Sequence, residues 1–334
     1  MRTLLLHGAG DVRLTDAPEP VPGPSEVLVR VTAVGLCGSD LHWYRDGAIG
    51  GLEMHAPFVL GHEMGGVITS GPRSGQRVAI DPADPCERCP ACVSGFTNLC
   101  QSTRFCGAPG VDGALVERMA WPSRLLVPVP DAMTDDEVPL LESLGIAIHA
   151  MGLGHISAGC RVAVVGAGPI GLLILAMLRA RGVGRIVVSE PLAHRRAAAH
   201  AMGADVVVAP DPDGLARVLA DEATDVVFEA VGEPAAIASA CAAARPGGRV
   251  VLVGIPSEDT YVLPAGDARR KGLTFPVARR MQAHHLTAAI SLVEAGVVDL
   301  GSLVTASYPL AESRAAFDAL VRRDGLKVVV RPNA

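Results

Sequence analysis

The hydrophobic pattern changes character along the chain. In the first third, short runs of β-branched and other apolar residues alternate with polar ones and are separated by turns rich in Pro and Gly. This pattern is typical of a β-rich domain. We expect strands at residues 26–34, 66–68 and 77–80.

From about residue 145, short and continuously apolar strands alternate with Ala-rich helices. Strands that are apolar on both faces favour a parallel, doubly wound sheet covered by helices, which is an α/β fold. After about residue 273 a helix at 284–295 precedes a closing strand at 326–330, and we expect this tail to fold back onto the first domain. The elements predicted between them are strands at 161–166, 185–189, 205–208, 225–228 and 249–253, and helices at 169–181 and 193–202.

Length and charge narrow the classes of function. A chain of 334 residues is expected to form two domains. Its net charge is −6 and its basic residues are scattered, so a nucleic-acid partner is disfavoured. Because no stretch approaches the roughly 20 apolar residues of a membrane helix, and the apolar start is short for a signal peptide, we expect a cytoplasmic protein without a membrane partner.

Four of the eight cysteines lie within fifteen residues. They are Cys86, Cys89, Cys92 and Cys100. Four thiolates at this spacing can close a tetrahedron around zinc without an open position, which predicts a structural zinc site. Free thiols or disulfides are the alternative, and an acidic chain argues against a zinc module that binds nucleic acid.

A glycine pattern opens the first predicted helix of the α/β region. It consists of Gly166, Gly168, Pro169, Ile170 and Gly171, with Ala167 at the variable position. Because it follows an apolar strand, it fits a dinucleotide-binding turn, in which backbone N–H groups at the helix N-terminus meet the pyrophosphate. A tight packing turn is the alternative.

The second strand of this region ends at Glu190, 19 residues after Gly171. A carboxylate there is expected to accept hydrogen bonds from the adenosine ribose and to repel a 2′-phosphate, which favours NAD over NADP. Arg195 and Arg196 in the next turn weaken that preference, since arginines can hold the extra phosphate.

A second, dispersed set of metal-binding residue types consists of Cys37, His62, Glu63 and Glu142. A catalytic zinc needs about three protein ligands and one open position for substrate. As bare residues, a single cysteine is more often a packing residue and a His-Glu pair more often lies on the surface.

These residues lie within longer motifs. The motifs are residues 35–42 (GLCGSDLH), residues 61–63 (GHE), the four-cysteine loop, residues 142–150 (ESLGIAIHA) and the glycine turn. In this order they resemble the zinc-containing medium-chain alcohol dehydrogenase family over the whole chain, and most of all its polyol branch of sorbitol (L-iditol) and L-idonate 5-dehydrogenases. The resemblance implies a β-rich, GroES-like catalytic zinc domain at residues 1–145 and 274–334, and a Rossmann dinucleotide-binding domain at residues 146–273.

The resemblance also implies roles for individual residues. Cys37, His62 and Glu142 would ligate the catalytic zinc, and Glu63 would lie beside the metal or exchange with a ligand. Asp40 would orient His62 through its other ring nitrogen. Of the remaining candidates, Ser39 would hydrogen-bond the substrate oxygen and His42 would pass the proton to solvent through the cofactor ribose.

Tyr44 and Arg280 are candidate substrate residues, although the core is an alternative place for Tyr44 and a one-residue slip is possible at Arg280. Two positions depart from the family. Ser143 follows Glu142 where the family usually has Pro, and Met281 stands where the branch often has an aromatic residue. The second departure makes an aminocyclitol or another cyclic polyol an alternative substrate.

The resulting hypothesis is a zinc-dependent, NAD-linked oxidoreductase that interconverts a secondary alcohol of a polyol, sugar acid or cyclitol with its ketone, with two zinc ions per chain. By analogy with the polyol branch, we expect a homo-oligomer, either a dimer or a tetramer. Two rival functions are a zinc-independent reductase of the same fold and a non-catalytic NAD-binding zinc protein.

Overall fold

The computed structural model describes residues 1–210, 215, 218–219 and 224–334. The chain forms two compact units. Unit 1 comprises Met1–Gly145 and Met281–Ala334, and unit 2 comprises Ile146–Arg280.

The main sheet of unit 1 is centred on strand Glu26–Gly35. This strand pairs antiparallel with Glu63–Ile68 on one side and with Lys327–Arg331, from the C-terminal tail, on the other. Its alternate residues Val29 and Val31 are fully buried, as expected for a strand with one face on the core. The other strands of this sheet are Arg77–Ile80, Arg118–Pro122, Leu126–Pro128 and Val304–Pro309.

Shorter strands and helices complete unit 1. The hairpin Arg2–Gly8 and Asp11–Asp16 pairs with Phe58–Val59. Two further short pairings join Ala83–Asp84 to Arg104–Phe105 and Ala48–Ile49 to Leu52–Glu53. The helices are Gly38–Asp46, Pro90–Val93, Ala283–Glu294 and Ser313–Arg322, together with the start of Leu140–Gly154.

Unit 2 contains a parallel sheet with its first strand in the middle. Within the part of the chain that the structure describes, the strand order is Val206–Val208, Arg185–Ser189, Arg161–Val165, Thr224–Glu229 and Ala244–Leu252. The helices of this unit are Pro169–Ala180, Ala193–Ala201, Pro234–Ala243 and Ala265–Lys271, with the remainder of Leu140–Gly154. This order is that of a doubly wound sheet, so the predicted α/β class is confirmed.

The last segment of unit 2 extends beyond the boundary expected from the sequence. Thr274 and Val277 form parallel bridges with Arg249 and Leu252, so residues 274–277 continue the sheet. The chain therefore returns to unit 1 after Arg280 and not near residue 273. Among the described residues, no helix has both the length and the apolar character needed to cross a membrane.

Replacing Trp121 tests how strongly the stability of unit 1 depends on one buried side chain. It is 2% exposed, and its Nε1–H donates to the Asp81 carbonyl oxygen at 2.9 Å. We expect Trp121→Ala to lower the free energy of unfolding by about 3–5 kcal/mol, because it leaves a cavity and an unpaired carbonyl. Urea unfolding followed by circular dichroism measures this, and Val93→Ala, which changes an exposed side chain, is the control. Equal midpoints for the two variants would contradict the expectation.

Candidate active site and zinc sites

Two strand ends place the candidate ligands of unit 1 side by side. Strand Glu26–Gly35 ends directly opposite the start of strand Glu63–Ile68, since Gly35 and Glu63 are register partners. Cys37 follows the first strand and His62 precedes the second, so both residues lie at the same end of this pair of strands. A sulfur, a ring nitrogen and a carboxylate oxygen from Cys37, His62 and Glu63 all lie within 4.8 Å of one another.

Asp40 connects both strand ends. Its Oδ2 accepts the N–H of Cys37 at 2.9 Å, and its Oδ1 accepts the N–H of Gly61 at 3.3 Å. The same Oδ1 lies 3.5 Å from His62 Nδ1, which leaves Nε2 facing Ser39 Oγ at 3.4 Å. Burial disfavours both charged forms, but their attraction holds the pKa of Asp40 below its usual value and that of His62 well above.

Glu142 lies in the first turn of helix Leu140–Gly154 and is buried. Burial and the neighbouring Glu63 carboxylate raise the pKa of Glu142 to about 8. Its ligand oxygens fall outside the tight group that Cys37, His62 and Glu63 form, although His62 and Lys327 act on it electrostatically. The structure therefore brings two carboxylates to this region.

Lys327 is the buried cation of this cluster. It begins strand Lys327–Arg331, and its ammonium forms an ion pair with Glu63, whose other oxygen accepts from Ser143 Oγ at 2.9 Å. Burial disfavours the charged amine, but Glu63 raises the pKa of Lys327 above its ordinary value. The cluster thus contains three buried carboxyl groups (Asp40, Glu63 and Glu142) and two buried basic side chains (His62 and Lys327). Because the acidic groups outnumber the basic ones, the cluster fits a divalent cation.

The four cysteines of the second cluster also come together. Their sulfurs all lie within 4.8 Å of one another, and the Cys86 N–H points at Cys100 Sγ at 3.3 Å. This N–H lowers the pKa of Cys100 to about 6, whereas burial raises that of Cys92 to about 12. Ionisation is therefore favoured at Cys100 and disfavoured at Cys92 until a bound cation neutralises the thiolates. Four sulfurs that leave no open position for a further ligand fit a structural zinc site.

The glycine turn in unit 2 has the form expected for pyrophosphate binding. Gly166 has a φ of 96°, and Gly168 is the N-cap of helix Pro169–Ala180 with Pro169 at its first position. A Cβ at Gly171 would collide with the Gly166 carbonyl oxygen, so only glycine allows this close approach. Ile170 follows Pro169 in the first turn of the same helix.

Glu190 is joined to this turn. Its Oε2 accepts the Ala167 N–H at 2.7 Å, and its Oε1 accepts the Leu192 N–H at 2.9 Å. Arg196 Nη1 donates to the carbonyl oxygens of Glu190 and Pro191. A guanidinium nitrogen of Arg195 would lie 3.7 Å from a Cβ built at Gly168, which places Arg195 beside the turn.

The other candidate residues have different surroundings. His42 is half-buried, with Nδ1 at 3.4 Å from Asp46 Oδ2. Tyr44 is buried and its ring stacks on Phe317, with ring centroids 4.7 Å apart, within the core of unit 1, which argues against a substrate contact.

Arg280 has a left-handed backbone with a φ of 52°. Met281 packs against Gly145, one turn after Glu142.

Similarity to known proteins agrees with this geometry. Residues 23–131 match the family model of an alcohol dehydrogenase GroES-like domain, and residues 169–295 match that of a zinc-binding dehydrogenase. Sorbitol dehydrogenase of Bacillus subtilis is 34% identical over 345 residues, covering 100% of this chain and 98% of that protein. The chain belongs to the zinc-binding alcohol dehydrogenase family.

Two solved structures resemble the chain over nearly its whole length. L-idonate 5-dehydrogenase from Escherichia coli has a TM-score of 0.89 at 29% identity and covers 99% of this chain and 97% of its own. An Escherichia coli structure complexed with NADH, described as a short chain alcohol dehydrogenase, has a TM-score of 0.90 at 27% identity with 99% of each chain covered. The predicted family and the GroES-like and Rossmann architecture are confirmed.

Sequence reasoning missed Lys327 and the contact that Ser143 makes with Glu63. The sequence contained one signal for Lys327. Only two of the 29 Lys and Arg residues are lysines, and this one begins an otherwise apolar run of valines. Ser143 was noticed as a departure from the family, but its partner depends on how helix Leu140–Gly154 lies over the sheet.

Metal content tests the four-cysteine site. We expect Cys92→Ser to lose about one zinc per chain, because a closed tetrahedral site needs all four sulfur ligands. Cys160→Ser, which changes a cysteine outside both clusters, should keep the wild-type content. Elemental analysis of the purified variants measures this, and unchanged zinc in Cys92→Ser would exclude the site.

Proposed function

We propose that the chain is a zinc-dependent, NAD-linked dehydrogenase that interconverts a secondary alcohol of a small polyol-like molecule with its ketone. The cluster of Cys37 and His62 with two buried carboxylates, fixed by Asp40, supports this function most directly. A zinc-independent reductase of the same fold would not need this ligand set. We further propose that unit 1 is the catalytic zinc domain and unit 2 the dinucleotide-binding domain.

Cys37, His62 and Glu142 are proposed to hold the catalytic zinc, and Cys86, Cys89, Cys92 and Cys100 a structural one, which gives two zinc ions per chain. When bound, the catalytic zinc supplies Lewis-acid polarisation of the substrate oxygen. Asp40 keeps the His62 ring in one orientation, so that Nδ1 faces the carboxylate and Nε2 remains available.

Ser39 and His42 are proposed to move the proton. Ser39 Oγ lies 3.4 Å from His62 Nε2, so its hydroxyl is at the ligand side of the imidazole and can hydrogen-bond the substrate oxygen. His42 is one helical turn further along the same helix and is partly exposed, so it can exchange a proton with solvent.

NAD is the proposed cofactor, and NADP is disfavoured. When bound, its nicotinamide accepts or returns a hydride. The Gly166–Gly171 turn offers backbone N–H groups to the pyrophosphate, with Arg195 beside it as a further contact. Glu190 is buried next to this turn, so its carboxylate would oppose a 2′-phosphate, and Arg196 is engaged by backbone carbonyls.

The substrate class is proposed from the relatives, which include enzymes named for sorbitol and for L-idonate. Arg280 is the proposed substrate residue, and Met281 in place of an aromatic residue keeps a cyclic polyol as the alternative substrate. Tyr44 remains only a prediction, and its burial in the core opposes it. A homo-oligomer and a cytoplasmic location also stay predictions.

Turnover across a substrate panel tests the function. We expect NADH formation with one class among polyols, sugar acids, cyclitols and simple secondary alcohols, little with NADP, and loss of turnover after chelation that added zinc restores. The loss follows because ionising an unassisted alcohol is very unfavourable at neutral pH. Turnover that does not respond to chelation would exclude the catalytic-zinc function.

Ser39→Ala tests the proton relay. We expect kcat/KM to fall by roughly 10²–10⁴-fold, the range typical of a lost proton-transfer group, while zinc content is unchanged. Ser302→Ala, which changes an exposed serine of the short 3-10 helix Gly301–Leu303, is the matched control and should behave as wild type. A Ser39→Ala enzyme with wild-type kcat/KM would remove Ser39 from the relay.

A further inference from the structure

Three polar side chains form a stripe along helix Gly38–Asp46. Ser39, His42 and Asp46 are spaced three and four residues apart, so they lie on one face of the helix. At one end Ser39 Oγ lies 3.4 Å from Nε2 of the buried His62, and at the other His42 Nδ1 lies 3.4 Å from Asp46 Oδ2. The His42 side chain is 19% exposed and the Asp46 side chain 37%. The stripe therefore connects the buried ligand cluster to solvent over about 10 Å of helix.

Asp46 occupies a position where the helix itself disfavours an acidic residue. It is the last residue of the helix, directly before the left-handed C-cap Gly47, whose N–H donates to the Trp43 carbonyl oxygen. The end of a helix carries partial negative charge on its carbonyl groups, so a second negative charge there is unfavourable. Arg45 offsets this charge, because its Nε and Nη2 donate to the two carboxylate oxygens at 2.8 Å each. Helix stability alone therefore does not account for an aspartate at position 46.

Arg45 also keeps Asp46 ionised. Its hydrogen bonds hold the pKa of the Asp46 carboxyl below the usual value, and His42 acts in the same direction. An ionised carboxylate can only accept hydrogen bonds, whereas a neutral imidazole has one donor and one acceptor nitrogen. Because His42 Nδ1 is the nitrogen that faces the carboxylate, it carries the proton, and the lone pair is left on Nε2.

We propose that Asp46 is a positioning residue that accepts the Nδ1–H of His42 and so fixes Nε2 as the proton-accepting nitrogen of the relay. This inference rests on the proposed proton relay through Ser39 and His42. In alcohol oxidation, the Nε2 lone pair takes up the proton released by the alcohol, and the imidazolium then returns a proton to water. The Asp46 carboxylate stabilises the imidazolium in between. In ketone reduction the same steps run in reverse.

The ring tautomer of His42 tests the positioning role without any turnover. The full-length chain is labelled with ¹⁵N-histidine and studied by NMR at about pH 9, where an ordinary histidine is neutral. The signals that are missing from His42→Gln identify the His42 ring. We expect the wild-type ring to carry its proton on Nδ1. Asp46→Ala should give a mixture of both tautomers because the acceptor is lost, and Asp46→Glu, which keeps a carboxylate at this position, should retain the Nδ1–H form.

The kinetic test measures kcat/KM of the zinc-loaded enzyme for oxidation of sorbitol by NAD. We expect Asp46→Ala to lower it by about 10-fold, the low end for a lost charge-assisted hydrogen bond, because both side chains are partly exposed. In the His42→Gln background the same substitution should cause no further fall, since Asp46 acts through His42. A purely structural role would lower kcat/KM equally in both backgrounds.

A matched control separates this effect from the loss of any surface ion pair. Asp324→Ala removes the carboxylate of an exposed Arg322–Asp324 pair, and should leave the His42 tautomer and kcat/KM as in wild type. The inference is overturned by a wild-type His42 that carries its proton on Nε2, by an unchanged tautomer in Asp46→Ala, or by an equal fall in the His42→Gln background.

Failure of the proposed relay gives a different result. If His42→Gln has the turnover of wild type, His42 does not move the proton, and both the relay and the role of Asp46 in it are excluded even where the tautomer depends on Asp46. If His42→Gln lowers turnover but Asp46→Ala leaves the tautomer unchanged, the relay stands and only the role of Asp46 is excluded.

Discussion

The geometry of the candidate site depends on one buried carboxylate. Asp40 accepts backbone N–H groups from Cys37 and Gly61 and faces the His62 ring, so a single side chain fixes two loops and one imidazole. The sheet supplies the other half of the constraint, because Gly35 and Glu63 are register partners. Removing this carboxylate would leave two backbone N–H groups and a ring nitrogen without their acceptor, so the two ligand-bearing loops would lose their common anchor.

Much of the architecture was readable from hydrophobic periodicity. The central strands and helices of unit 2 begin and end within a few residues of the predicted positions, because continuous apolar runs bounded by Gly and Pro are a strong local signal. The hairpin Arg2–Gly8 and Asp11–Asp16 was not predicted, and neither was helix Gly38–Asp46. That helix carries polar residues for the site on a short segment, so its composition does not show helical periodicity.

The candidate site was predictable only as far as its residues lie in sequence motifs. The cysteine spacing and the glycine turn are local, and the structure brings each set together. The pairing of Glu63 with Lys327 joins residues 264 positions apart in the numbering and depends on the register of three strands. No local pattern contains that register, and the same holds for Tyr44, whose place in the core depends on Phe317 from the C-terminal tail.

The scarcity of lysine has a consequence for covalent chemistry. Lys271 lies at the end of helix Ala265–Lys271 and is partly exposed, whereas Lys327, at the start of strand Lys327–Arg331, is only 2% exposed. An amine-directed acylating reagent can therefore reach Lys327 only when unit 1 opens. The rate at which that one amine is modified would report the population of opened molecules, in the same way that amide exchange reports local unfolding.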